Sequence, residues 1–174
     1  NTGDVLASAE FDTTIDIDET HARIPAHRVM PDPAIVRKAA AALAKSERPV
    51  IVADRGAVIS GAGEAVTKLA DVLDCPFVVT LDAKDLVVHD HPRFGGLVGT
   101  YGRSCANRIV AEADLVVFVG SNTSDMTTAF WKMPAQGTAV IQIDIDPAEL
   151  GRNYAGTIGV QADPVRALDA LAAA

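Results

Sequence analysis

Apolar residues along this chain fall into short unbroken runs, separated by stretches in which they recur every three or four positions. The clearest run is Leu115-Val116-Val117-Phe118-Val119, which stops abruptly at Gly120-Ser121-Asn122. A strand covered on one face alternates apolar with polar side chains. A short run without alternation therefore predicts burial on both faces, as in the middle of a parallel sheet. Val50-Ile51-Val52-Ala53, ending in Asp54-Arg55-Gly56, reads the same way, as do Pro76 to Thr80 and Ala139 to Ile145. Thr157 to Val160 gives a short last strand.

Helical spacing fills the intervals. Asp32-Pro33 offers a cap and a first-turn proline, and Ile35, Val36, Ala39, Ala40 and Leu43 follow on one face, with Lys45 and Arg48 near the negative end of the dipole and Pro49 as the stop. Glu64 to Leu73, Arg103 to Ala111 and Pro164 to Ala173 read as further helices, and Asp146 to Leu150 as a capped helical turn. Leu81 to Gly102 is irregular apart from a short strand near Phe94 to Leu97, and the region after Asn122 through Pro134 carries no clear period. Strands alternating with helices of about ten residues predict βαβ units with right-handed crossovers. The fold class is therefore α/β: a three-layer α/β/α sandwich around a parallel sheet of five or six strands, Rossmann-like in topology. In such sheets ligands lie beyond the carboxyl ends of the strands, where neighbouring connections diverge, and Gly120-Ser121-Asn122 stands at such an end. Residues 1–31, acidic at Asp16 to Thr20 and broken by Pro25 and Pro31, read as an extended linker arm over a domain of residues 32–174.

Composition narrows the functions open to this fold. The net charge of −8 argues against nucleic acid or an anionic membrane as partners, since either would want a basic face. No apolar run approaches the ~20 residues that span a bilayer. Cys75 and Cys105 form neither a metal spacing nor a disulfide framework, so a reducing cytoplasm is the default compartment and both read as small buried residues. The chain opens at Asn1 without a signal-peptide pattern, as a piece of something longer would.

Candidate chemistry is sparse. His89-Asp90-His91-Pro92 reads as a solvated turn, since no third or fourth metal ligand stands at a recognisable spacing, and His21 and His27 read as surface residues of the arm. No Gly-x-Ser-x-Gly elbow and no catalytic constellation is present. Ala53-Asp54-Arg55-Gly56-Ala57 is neither a dinucleotide fingerprint nor a Walker loop. Gly99-Thr100-Tyr101-Gly102 and Gly120-Ser121-Asn122 could line a nucleotide crevice, or could simply let the chain turn at strand ends.

The order of segments nevertheless resembles one family. Arg48 to Ala53, Gly56 with Ser60-Gly61-Ala62, Asp90-His91-Pro92, Gly99 to Gly102, Ala113 to Ser121 and, most specifically, Ile143-Asp144-Ile145-Asp146-Pro147-Ala148-Glu149-Leu150-Gly151-Arg152-Asn153-Tyr154 resemble successive landmarks of the central domain of thiamine-diphosphate-dependent enzymes of the acetolactate synthase type. The likeness runs from about Pro31 to Leu171. It implies a parent enzyme, a 2-oxo acid decarboxylase or carboligase, in which thiamine diphosphate and magnesium are held by flanking pyrimidine- and diphosphate-binding domains and not by this stretch. Alone, the stretch would be inactive, with a structural and assembly role in a homo-oligomer.

In some members of that family this domain also binds FAD or ADP. The positions matching that pocket are Gly56, Thr80, Leu81, Gly99, Thr100, Tyr101, Gly120, Ser121, Asn122, Asp144 and Ile145. The resemblance implies glycine backbones near a diphosphate, Asp144 as a ribose hydroxyl acceptor and strand-end apolar groups against a ring. This chain departs from the flavin-binding pattern at Asp54-Arg55, where glycines are usual, and at Asn122, where an arginine is. A carboxylate at Asp54 would repel a diphosphate unless Arg55 offset it. FAD, an ADP-type nucleotide and an empty pocket all stay open, as does the reading of a free-standing FAD-, NAD- or ADP-binding module.

Overall fold

The computed structural model describes residues 16–87 and 90–174. The residues 1–15 of the expected arm, and His89 of the expected turn, lie outside them. The strands are β1 (Pro49–Ala53), β2 (Phe77–Val79), β3 (Phe94–Leu97), β4 (Leu115–Val119), β5 (Ala139–Asp144) and β6 (Ile158–Gln161). They form one sheet in the order β3-β2-β1-β4-β5-β6, every neighbouring pair parallel. This is the doubly wound order of dinucleotide-binding folds, in which the chain reverses direction across the sheet between its first and fourth strands. The two runs most apolar in sequence are that central pair, Pro49 to Ala53 lying in register against Leu115 to Val119.

Alternation along each strand divides the core in two. Ile51, Val117, Val119, Ile141 and Ile143 point to one face, where they meet Val36, Ala39 and Leu43 of α1 (Pro33–Leu43), Val66 and Leu69 of α3 (Gly63–Val72) and Leu168 and Leu171 of α6 (Pro164–Ala172). Val50, Val52, Val116, Phe118 and Val140 point to the other, where α4 (Ser104–Glu112) contributes Ala106 and Val110, and the loops contribute Met133 and Tyr154. The second cover is thus part helix and part irregular chain. Tyr154 stacks on Phe118 and donates its hydroxyl to the Met133 carbonyl at 3.2 Å, so its polar end is satisfied within that cover.

Aspartate caps start the outer helices, the one at Asp32 as its sequence predicts. Asp32 accepts from the Ala34 N–H at 2.7 Å and Asp163 from the Arg166 N–H at 3.3 Å, each followed by proline.

Elsewhere the structure corrects the reading. A helix absent from the expectation, α2 (Arg55–Ser60), follows β1 directly and is capped by Asp54. The acidic side chain taken as a strand ending is a helix start. The patternless stretch after Asn122 holds a single turn, α5 (Asp125–Thr128), which closes through three consecutive left-handed residues, Ala129, Phe130 and Trp131, at φ of 49°, 61° and 55°. Too short to show a period, that element was invisible to spacing. Asp146 to Leu150 is the capped turn expected, Asp146 Oδ1 accepting from the Ala148 N–H at 2.9 Å.

Cys75 is buried as expected, but Cys105 is exposed, because it lies near the start of α4 on the side away from Ala106 and Val110. Desolvation pushes the Cys75 thiol up to about 11. An aromatic disulfide reagent at neutral pH should therefore modify Cys105 alone in the folded protein, with the second equivalent appearing only in denaturant. Fast labelling of both thiols under native conditions would contradict this burial.

Candidate functional site

Beyond the carboxyl ends of the strands, at the reversal between β1 and β4, the chain leaves a crevice of about 480 Å3. Its floor is built by two glycines. Gly120, at φ +60°, lies so close to Gly56 that a Cβ on either would come within about 2.6 Å of the other's backbone, and the Gly56 N–H donates to the Gly120 carbonyl at 2.9 Å. Only glycine permits this approach.

Beside the floor lies Asp54, 6% exposed. Its Oδ1 accepts from the Thr80 hydroxyl at 2.6 Å and the Arg55 N–H at 2.8 Å. Its Oδ2 accepts from the Ser121 hydroxyl at 2.7 Å and the Thr127 hydroxyl at 3.2 Å. Four donors on two oxygens fill the acceptor sites of an ionised carboxylate. Asp54, Thr80 and Ser121 converge because each stands just past the end of β1, β2 or β4, strands that are neighbours in register. Ser121 is held from a further side as well: its carbonyl accepts from Gln142 Nε2 at 2.9 Å, and Gln142 Oε1 accepts from the Gly151 N–H at 2.9 Å. Gln142, itself buried within β5, links the hub to the turn after that strand.

Above this polar floor the rim is apolar. Ile59, Leu81, Tyr101, Met126 and Ile145 line the crevice yet are all exposed, Tyr101 to 74%. Asp144, at the end of β5, also lines it. Burial raises the Asp144 carboxyl above the ordinary carboxylate range, and the charges of Glu149 and Asp146 add to this against backbone N–H groups that lower it. A raised carboxyl binds its proton more tightly folded than unfolded, so its contribution falls as pH rises from the unfolded value through the folded one. Asp144→Asn keeps an oxygen for the Asp146 N–H, now received at 2.9 Å. Its melting temperature should exceed the parent's near neutral pH and converge on it below about pH 3. A variant less stable than the parent at neutral pH would refute this account of the site.

The chain before α1 closes one side. Pro25 and His27 line a second cavity of about 140 Å3 that shares Gly56, Ile59, Gly120, Asp144 and Ile145 with the crevice. They are placed there by Arg28, whose Nη1 donates to Asp163 Oδ1 at 2.8 Å and whose Nη2 donates to the Ser60 carbonyl at 2.9 Å. The Asp163 N–H donates to the Val29 carbonyl at 3.0 Å.

Of the positions singled out in the sequence, Gly56, Thr80, Leu81, Thr100, Tyr101, Gly120, Asn122, Asp144 and Ile145 line the crevice. Gly99 and Ser121 do not. Gly99, at φ +112°, packs against the Met126 carbonyl and fixes α5, and the Ser121 side chain is turned inward onto Asp54. Sequence reasoning missed Thr127, Met126 and Ile59, which sit on the two helices it did not find. Among the described residues no group of three His, Cys, Asp or Glu side chains is placed to hold a metal ion.

Residues 36–171 match the family model described as the central domain of thiamine pyrophosphate enzymes. A Methanocaldococcus jannaschii protein named "Probable acetolactate synthase large subunit" is 40% identical over 142 residues, 82% of this chain and 24% of that protein. The pyruvate oxidase of Lactiplantibacillus plantarum is 34% identical over 145 residues, 82% of this chain and 23% of the oxidase. A Mycobacterium smegmatis protein, solved by X-ray as a candidate thiamin diphosphate-dependent enzyme, superposes with a TM-score of 0.67 over 84% of this chain and 28% of its own, at 24% identity. The chain therefore spans about a quarter of the length of the curated relatives it matches.

Proposed function

The chain belongs to the family of thiamine pyrophosphate enzyme central domains and is acetolactate synthase-like, and from that premise we propose that it is the non-catalytic middle of a longer 2-oxo acid decarboxylase or carboligase. The observation that carries this reading is the extent of the match, which runs from within α1 to the end of α6 and so takes in the whole sheet. Thiamine diphosphate supplies the decarboxylating and carbon–carbon bond-forming chemistry of such an enzyme. We assign that cofactor and its magnesium to the flanking pyrimidine- and diphosphate-binding domains. This chain's part is to pack those domains and the subunits of a homo-oligomer. Phe130 and Trp131, exposed on their left-handed turn, support that role by offering an apolar face.

Among the described residues no helix is long and apolar enough to cross a membrane. With two free cysteines and no disulfide, the reading keeps the chain in the cytoplasm.

The crevice is where FAD or an ADP-type nucleotide would lie in this domain, between the residues named above. Its apolar rim suits a ring, but its phosphate end does not fit. There the Thr80, Ser121 and Thr127 hydroxyls and the Arg55 N–H all donate to Asp54.

Calorimetric titration of the 174-residue chain with thiamine diphosphate and magnesium tests the main reading. The expected trace is flat, whereas saturable binding with a stoichiometry near one would overturn it. A free-standing nucleotide-binding module is the less favoured alternative, since its relatives are about four times its length.

A further inference from the structure

In doubly wound sheets the reversal between the first and fourth strands is where a ligand's phosphates are received, by small residues, backbone N–H groups and hydroxyls. Here that place already holds an anion. The Asp54 carboxylate lies at the end of β1, directly beside the Gly56–Gly120 contact, with four donors closed around it. The donors have no spare capacity toward the crevice. The Ser121 hydroxyl accepts in turn from the Thr123 N–H at 3.1 Å, and the Gly56 N–H is taken by the Gly120 carbonyl. Asp82 and Asp144 add two further carboxylates to the lining, against the single guanidinium of Arg55. A phosphate brought against Asp54 would meet like charge and find the hydroxyls and N–H around that carboxylate already used. The rest of the lining is built for something else: Leu81, Tyr101, Met126 and Ile145 leave exposed apolar surface facing the same space.

We propose that Asp54 is a built-in substitute for a ligand phosphate, and that the crevice consequently takes a planar ring without phosphate, a nucleoside in preference to its nucleotide. The proposal rests on the crevice being a ligand site, as set out above, and not on the parent enzyme's reaction. Asp54 occupies the anion position permanently. The ring is received by the apolar rim, and its ribose or ring donors are available to Asp144. The residues that would have held a diphosphate serve instead to stitch the ends of β1, β2 and β4 to α5.

Titration of the 174-residue chain with adenosine, ADP, riboflavin and FAD by isothermal calorimetry, at fixed ionic strength and without magnesium, tests this. At least one nucleoside should bind, and about tenfold or more tightly than its phosphorylated partner. Equal or tighter binding of ADP or FAD would overturn the role given to Asp54 while leaving the crevice as a nucleotide site. Failure of all four probes would overturn the crevice as a ligand site, and neither result touches the thiamine diphosphate titration. Asp54→Asn keeps the shape of the side chain and removes its charge. With folding checked by circular dichroism, its preference for the nucleoside should shrink at least about threefold, and an unchanged preference would refute the assignment. Should that variant not fold, the ratio measured on the parent chain decides alone.

Discussion

Gly120→Ala is expected to lower stability by about 3 kcal/mol, which for a domain of this size is a fall of roughly 6–12 °C in melting temperature. Two costs combine. At φ +60° an alanine is in the left-handed region, worth about 1–2 kcal/mol against it. In addition, its Cβ would stand 2.5 Å from the Ala57 nitrogen and from Gly56 Cα, and backbone in the middle of a sheet's connections cannot step aside as a side-chain tip can. Gly61 separates the two costs. It is left-handed too, at φ +67°, but a Cβ there has nothing within 4 Å, so Gly61→Ala should cost only about 1 kcal/mol. Thermal melts of both variants give the comparison. If they fall by the same amount, the two glycine backbones are not in the contact described.

Asp54→Ala should be costlier still, at about 4 kcal/mol or more. Removing a buried acceptor leaves its donors without partners, each worth about 1–3 kcal/mol, and here three hydroxyls and one N–H lose theirs together. The four losses will not add, because a relaxed pocket re-pairs some of them. Ser121→Ala deletes one donor while the carboxylate retains three others, so about 1 kcal/mol is expected. The order Asp54→Ala, then Asp54→Asn, then Ser121→Ala in denaturant midpoints identifies Asp54 as the centre of the network. A Ser121→Ala variant as unstable as Asp54→Ala would place the centre elsewhere.

These effects mark where sequence reading succeeds and where it stops. Val50 to Ala53 and Leu115 to Val119 are legible because burial on both faces suppresses alternation, and that signal is local to five residues. The cap at Asp32 is legible for the same reason, needing only the proline that follows. Asp54 is different. Its three hydroxyl partners stand 26, 67 and 73 positions away, so nothing near it in the chain distinguishes a buried, fully bonded carboxylate from one facing a ligand. The signal that existed was relational: Asp54, Thr80 and Ser121 each follow closely on an apolar run, and would be recognised as neighbours only once the strand order was known. Gly120 was identified as a turn at a strand end. That a second glycine lay against it could not be read, since Gly56 sits inside a six-residue helix with no period of its own. Cys105 was misread because a single step along a helix separates an exposed from a buried position, and the apolar face of α4 is carried by only two fully buried residues, Ala106 and Val110.

Arg28 bears on what counts as the folding unit. Among the described residues the first helix begins at Pro33, and a boundary drawn from their regular structure would fall just before Asp32. A chain trimmed there would retain all six strands yet strand the carboxylate of Asp163, whose side chain is only 4% exposed, without the cation that now faces it. Through Arg28 and Asp163 the backbone just ahead of α1 is tied to the amino end of α6, so the folding unit takes in residue 28 as well as the regular elements that follow it.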